Sequence, residues 1–493
     1  MAKHKRIPAP SPSRIRLAAA TAAAAALTGG LVSAAASSAV AAEAPDTDGA
    51  DFNGDGFTDA AVSAPTAYVN GQKGAGAITA IYGGATSTHK VTFSQNSAGV
   101  PGTAEAIDNF GYDSAYGDFD DDGFDDLAVG TPGEDVGTDK DGGSVTILWG
   151  SAGGLKGGTT LKDPRPTKHD LWGGPVEAGD FDGDGKDDLA VGSRSGAATI
   201  DLFDDGIQRN GSYGHRYTVT PPITNYEYEG PLNLHSGDVN GDGKDDLIVD
   251  GFSTTPDGEN SNYWLPGSDA GVTLTGVQRL PGGHITDVGD TDNDGYGDIV
   301  IGMVWDEGIA GANLGGTVHV VKGNANGPYG AHQAITQDSE GVPGGGETGD
   351  GFGQELELGD VNGDGNLDLV VGAPGENLAG VADAGSVTVL YGAADGSGIT
   401  TAGAKFLDQN TAGVPNSNEK LDQFGSDVHL DDLDKDGRDD LLIGASGENE
   451  YNGAVYALKS NADDTLTAPG GLYPSAVGIS TTGTPQFGVN FTD

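Results

Sequence analysis

Apolar positions along the chain come in short bursts rather than in helical stripes. Runs such as "AAVSAP", "LAVGTP", "LAVGSR", "LIVDGF", "IVIGMV", "LVVGAP" and "LLIGAS" are too short for a helix and suit buried strands. Downstream of most of them lies an alternating strand opened by Gly or a small residue: "GAITAIYG", "GSVTILWG", "AATIDLF", "GTVHVVKG", "GSVTVLYG" and "GAVYALKS". A further strand leads into "QNSAGVP", "QDSEGVP" or "QNTAGVP" turns at Gln95, Gln337 and Gln409. Upstream, "FGYDSAYGD", "WGGPVEAGD", "FGQELELGD" and "FGSDVHLDD" supply another strand, each with its aromatic eight residues before an acidic loop. One unit is therefore four antiparallel strands.

The acidic loop repeats seven times as D-x-[DN]-x-D-G-x-x-D, with starts 67, 62, 58, 52, 70 and 72 residues apart. A period near 60 fits one supersecondary unit per copy with insertions in the connections. Seven such units predict an all-β fold, a seven-bladed β-propeller of four-stranded antiparallel blades, since a flat sandwich of that many strands would be unusual.

Oxygens at places 1, 3 and 5 of such a loop point inward. Gly at place 6 permits the turn, place 7 offers its carbonyl and place 9 closes the shell, which is the hard-oxygen set that Ca2+ prefers. The ligand sets expected are Asp51, Asn53, Asp55, Phe57 and Asp59 in the first unit and Asp118, Asp120, Asp122, Phe124 and Asp126 in the second. The third and fourth offer Asp180, Asp182, Asp184, Lys186 and Asp188, then Asp238, Asn240, Asp242, Lys244 and Asp246. The fifth offers Asp290, Asp292, Asp294, Tyr296 and Asp298, in an irregular unit. The last two offer Asp360, Asn362, Asp364, Asn366 and Asp368, then Asp432, Asp434, Asp436, Arg438 and Asp440. Up to seven Ca2+ ions, one per blade, are expected. A lone match could be an ordinary Asp-Gly turn, but seven in analogous places are not; EF-hands and dockerins take their last acid at place 12 and continue into a helix.

Charge sharpens this picture. The 493 residues carry 74 Asp plus Glu against 24 Lys plus Arg, for a net charge of -50, and there is no Cys. The chain is expected to avoid nucleic acid and anionic membranes and has no disulfide or thiolate site. Lys3, Lys5, Arg6, Arg14 and Arg16 precede an Ala-rich run ending at "AVA", so residues 1–41 read as a secretory signal peptide and 42–493 as the exported propeller. Cleavage removes those five bases and no acid, moving the charge to -55. No later stretch is apolar enough to insert in a membrane.

"FG", then "GDVNGDGNLDLVVGAPGE", then "GSVTVLYG" resembles the FG-GAP repeat of integrin alpha-subunit propellers and of similar secreted bacterial proteins. The resemblance covers nearly all of residues 46–493 and is most specific around Asp118, Asp360 and Asp432. It implies Ca2+ in hairpin loops at one face of the ring and ligand contacts, where there are any, at the opposite face. The chain departs from integrins in having the loop in all seven units, no leg domains and no "RGD"; around Asp238 and Asp290, "GP" and "GG" replace "FG". Integrin heterodimer signalling is therefore not carried over.

No His spacing suggests zinc or a His-Asp-Ser set, and "GASGE" and "GSRSG" are turns rather than nucleophile elbows. The expected function is a non-enzymatic, secreted, monomeric binding or adhesion scaffold for an extracellular protein or glycan. The alternatives are a propeller hydrolase acting on lipid or glycan, and a lectin. Trp149 and Trp172 read as packing residues, and the recurring "PGE" or "SGE" at Glu134, Glu376 and Glu448 as ordering the loop after the second strand. "NYEYEG" at Asn225, "NSNYWLPG" at Asn260 and Trp305 either fill core and loops or form a ligand surface. Finally, Asp51 has no FG strand before it, while the chain ends on "FGVNFTD"; residues Phe487 to Asp493 are expected to close the ring as a strand of the first blade.

Overall fold

The computed structural model describes residues 49–84, 89–195, 198–224, 230–255 and 257–492. The signal peptide read at 1–41, the Tyr-rich stretch 225–229 and Asp493 lie outside the described residues.

Seven antiparallel sheets follow one another along the chain, and six of them contain at least four strands. Blade 2 is representative: Ser114–Gly117, Asp126–Thr131, Ser144–Trp149 and Lys156–Leu161 pair in sequence order. Blade 6 repeats it with Leu356–Gly359, Asp368–Ala373, Ser386–Gly392 and Ile399–Leu407. Second strands are buried throughout, as their apolar bursts require, while fourth strands such as Tyr329–Ile335 face solvent at the rim. Helix among the described residues amounts to Glu448–Tyr451 and a 3-10 turn, Pro474–Val477. The protein is a seven-bladed β-propeller.

The core lies between blades rather than within them. Buried apolar side chains form seven clusters, each drawn mainly from two adjacent blades. The aromatic of each FG or WG pair is the wedge: Phe110, Trp172, Phe352, Phe424 and Phe487 are all fully buried. Four of these form parallel bridges to a glycine that opens the third strand of the preceding blade, Gly76, Gly316, Gly385 and Gly453. Those glycines have positive φ, and a Cβ on any of them would stand 2.2 or 2.3 Å from the carbonyl oxygen of the aromatic. Only Gly allows so close an approach.

Phe487 therefore occupies in blade 1 the place that Phe110 occupies in blade 2. Blade 1 contributes only Ala60–Ala64, Ala77–Ile81 and Lys90–Phe93 from the N-terminal side, and the C-terminal tail supplies the innermost position. Ser63 N–H donates to the Asn490 carbonyl at 2.8 Å, Gly488 N–H to that of Ser63 at 3.1 Å and Thr492 N–H to that of Ala61 at 3.0 Å. The pairing runs through an isolated bridge, Val62 to Phe491, rather than a continuous ladder. Asp427 of blade 7 accepts the Phe491 N–H at 2.8 Å, just as Asp113 and Asp287 accept Val176 and Leu358 N–H groups of the next blade at 2.9 and 2.7 Å. The closing segment is thus held by the same contacts that join covalently continuous blades.

Candidate metal centres

In blades 2–7 the acidic loop is the turn between the first and second strands, and in blade 1 it leads into the second strand, Ala60–Ala64. Gly117 pairs with Asp126, Gly179 with Asp188, Gly237 with Asp246, Gly289 with Asp298, Gly359 with Asp368 and Asp431 with Asp440. This register sets the first and ninth acids side by side at the hairpin mouth.

The loop conformation is the same seven times. The first Asp accepts the N–H of the fifth residue on one oxygen and that of the sixth, Gly, on the other; the Gly bonds measure 2.7 or 2.8 Å in every loop. Gly56, Gly123, Gly185, Gly243, Gly295, Gly365 and Gly437 take φ between 80° and 89°, which explains Gly at that place. In six loops the residue at place 7 donates its N–H to the fifth residue's carboxylate, as Phe57 does to Asp55 at 3.0 Å and Asn366 to Asp364 at 2.9 Å.

Carboxylates converge accordingly. Asp118, Asp120 and Asp122 have oxygens within 4.8 Å of one another, as do Asp180, Asp182 and Asp184, and Asp290, Asp292 and Asp294. The ninth acids are buried, and desolvation outweighs the hydrogen bonds they accept, pushing Asp59 and Asp440 up to about 7, Asp126, Asp246 and Asp368 to about 8 and Asp188 to about 9. Asp126 Oδ2 is buried with no hydrogen-bond partner. Buried acids that resist ionisation beside other acids form a site that a divalent cation would stabilise. An all-oxygen set fits Ca2+ and gives no sulfur or imidazole for softer metals. In the three loops with Asn at place 3, the amide donates toward the ninth acid: Asn53 to Asp59 at 3.5 Å, Asn240 to Asp246 at 3.4 Å and Asn362 to Asp368 at 3.2 Å.

The structure adds residues that the motif does not mark. Place 8 is Asp in several copies, and it joins blades: Asp125 accepts the Asp51 N–H at 2.7 Å, Asp187 that of Asp118 at 2.6 Å, Asp245 that of Asp180 at 2.8 Å and Asp439 that of Asp360 at 2.6 Å. The doubled "DD" was the visible signal. The ninth acid is also capped from the end of the third strand, by the N–H of Gly83, Gly150, Gly267, Gly323, Gly392 or Ser460.

Residues 46–81, 110–148, 352–390 and 424–458 match the FG-GAP repeat family. The chain carries FG-GAP repeats. The matched segments fall in blades 1, 2, 6 and 7, and blades 3–5 keep the sheet and the acidic hairpin without matching. The FG-GAP chain is 29% identical over 253 residues to integrin alpha pat-2 of Caenorhabditis briggsae, covering 46% of this chain and 20% of that protein. It is 29% identical over 237 residues to integrin alpha-8 of Mus musculus, covering 44% and 21%. It is also 36% identical over 113 residues to phosphatidylinositol-glycan-specific phospholipase D of Rattus norvegicus, covering 22% and 13%. The chain spans about a fifth or less of the length of these relatives.

Outside the loops, a cleft of about 610 Å³ opens between blades 4 and 5. Arg279 and Gln278 border it on one side, Tyr329 and His332 on the other, over Leu280 and Val321. Among the described residues none of its lining is acidic, in a chain with 74 acids. Tyr329 is half exposed. Trp264 is buried and donates its indole N–H to Asp246 at 2.8 Å, so it packs beneath the metal loop rather than presenting a face. Trp149 and Trp172 are buried as well.

Proposed function

We propose that this protein is a secreted, calcium-stabilised propeller acting as an extracellular binding scaffold without enzymatic activity, one Ca2+ being held in each hairpin by the acids and amides at places 1, 3, 5 and 9 and the carbonyl at place 7. The observation that carries this reading is the sevenfold repetition of one loop conformation around buried acids that resist ionisation alone. With no Cys available, the ions are the cross-links, each in blades 2–7 tying the first two strands of a blade together. The likeness to integrin alpha subunits supports binding of an extracellular partner. Among the described residues no helix is long and apolar enough to cross a membrane. For the ligand we favour a protein or glycan seated at the cleft between blades 4 and 5, where polar groups free of acids surround an apolar floor.

A second reading, hydrolysis of a lipid or glycan, draws on the likeness to a phosphatidylinositol-glycan-specific phospholipase D, which spans 13% of that protein. Chelation decides the first point: EDTA at low ionic strength should lower the melting temperature sharply and Ca2+ should restore it, whereas an unchanged melt would refute calcium as the cross-link. A glycan array or cell-surface pulldown should yield a calcium-dependent hit that Tyr329→Ala weakens. Turnover in a hydrolase-substrate screen would favour the second reading instead.

A further inference from the structure

The seven loops differ in charge at place 3 of the motif, and residues outside the motif then offset or add to that difference. Blades 1, 4 and 6 have Asn53, Asn240 and Asn362 at place 3 and so three carboxylates each at places 1, 5 and 9. Blades 2, 5 and 7 have Asp120, Asp292 and Asp434 there, making four. In each of these three, a protein cation sits on the added acid. Lys322 Nζ lies 3.0 Å from Asp292 Oδ2 and 2.9 Å from Asp298 Oδ2. Lys459 contacts Asp434 and lies 2.8 Å from Asp436 Oδ2. Arg209, reaching over from blade 3, places Nε and Nη2 each 2.5 Å from Asp120 and Asp122. Counting the acids at places 1, 3, 5 and 9 and the cation set on them, six loops therefore have three acids in excess.

Blade 3 breaks the rule. It has Asp180, Asp182, Asp184 and Asp188, and Asp204 follows the Leu189–Phe203 pair, the place that Lys322 and Lys459 take after Ile299–Val321 and Leu441–Leu458 in blades 5 and 7. Asp204 is 7% exposed, and its Oδ1 is buried without a hydrogen-bond partner. Its carboxylate lies with those of Asp182 and Asp188 inside 4.8 Å. Among the described residues no Lys or Arg forms an ion pair with these five acids, Lys186 of the loop pairing instead with Asp121 at 3.4 Å; His215 Nδ1 lies 3.3 Å from Asp204 Oδ2.

We propose that the seven centres fill in a graded order. Blade 3 binds its Ca2+ most tightly, with Asp204 as an added ligand. Blades 2, 5 and 7 bind most weakly, because Arg209, Lys322 or Lys459 must first leave oxygens that the ion would take. This rests on the calcium reading above, and on the rise of Ca2+ affinity with ligand charge. Attraction between unit charges at such short range is large enough for one tethered cation to reorder otherwise equal sites.

Native mass spectrometry of the full chain, titrated with Ca2+ in a competing chelator, tests it. The wild type should retain one ion at the lowest free calcium and fill three last. Asp204→Asn, which keeps the side-chain shape, and Asp204→Lys, which installs the residue of blades 5 and 7, should each weaken that most retained ion by roughly tenfold or more. Lys322→Met with Lys459→Met should move two ions from the last group to the middle one. Loss of all ions in a single unresolved step, or a ladder unchanged by both Asp204 variants, would overturn the grading while leaving calcium binding intact; no bound Ca2+ at all would overturn the calcium reading itself.

Discussion

At the interface of blades 5 and 6, Gln337 donates its side-chain N–H to Glu376 at 2.5 Å, inside a buried pocket. The interface of blades 2 and 3 has Asp163 at the place of that Gln and no acid at the place of the Glu. There Asp163 accepts from His169 at 2.7 Å, and Asp201 gathers Arg216 at 2.7 Å and Arg165 at 3.4 Å. The two interfaces share the wedge aromatic, Phe352 or Trp172, and their blades share the acidic hairpin. The Gln–Glu lock enters blades 2, 6 and 7, all of which match the FG-GAP family, and is absent where blade 3 is entered, whereas the metal loop is kept in both. A metal loop is local and can survive divergence of its surroundings; a lock needs two blades to change together.

The sharpest test of this comparison concerns the wedge, which both kinds of interface share. Phe487 enters blade 1 from the far end of the chain, yet its contacts copy those of Phe352. Phe487→Ala and Phe352→Ala should therefore cost alike, about 3–5 kcal/mol each in denaturant unfolding with calcium present. A much smaller cost for Phe487→Ala would show that the terminal closure is weaker than a covalently continuous one. Removing residues 487–493 altogether should cost more still and expose the edge of blade 1.

The locks come next. Gln337→Ala leaves Glu376 buried without its donor and should cost about 1–3 kcal/mol. Asp201→Ala strips two arginines of a shared, fully buried acid, and at about 3 kcal/mol should exceed it. If the order reverses, the irregular interface is the looser of the two, and blades 3–5 owe their stability to the metal loops.

Much of this was legible in sequence. The loop acids at places 1, 3, 5 and 9 are close in the chain, so their spacing alone revealed the hairpin, and the period revealed the number of blades. The terminal strand was legible because "FGVNFTD" matches a strand missing from the first unit. Contacts between units were harder to see. The Gln turns and the "PGE" or "SGE" loops are each visible as repeats, but their meeting is a property of two blades. One signal was available: Gln95 and Glu134, Gln337 and Glu376, and Gln409 and Glu448 are all 39 residues apart, a constancy that the loop insertions elsewhere do not show. Asp204, Lys322 and Lys459 were out of reach, because only the pairing of third strand to second brings them to the hairpin mouth.

The smallest expected effect separates the locks by pH. Burial, reinforced by the nearby Asp350 carboxylate, raises Glu376 to about 7 despite the Gln337 bond. Unfolding returns it to the ordinary range near 4.5, so below that value both states hold the proton and the contribution to stability is full. As pH rises through 7 the folded protein must ionise a buried acid, and the contribution is lost. With Ca2+ in excess, so that the metal loops stay loaded, the wild type should lose about 1 kcal/mol between roughly pH 6.5 and 8 that Glu376→Gln does not lose. The irregular interface has no acid at the place of that Glu, so a variant there such as Asp163→Asn should leave this difference between wild type and Glu376→Gln intact. Parallel pH profiles for wild type and Glu376→Gln would mean that the Gln337 bond keeps Glu376 ionised, making the lock a charge-assisted hydrogen bond at all of these pH values.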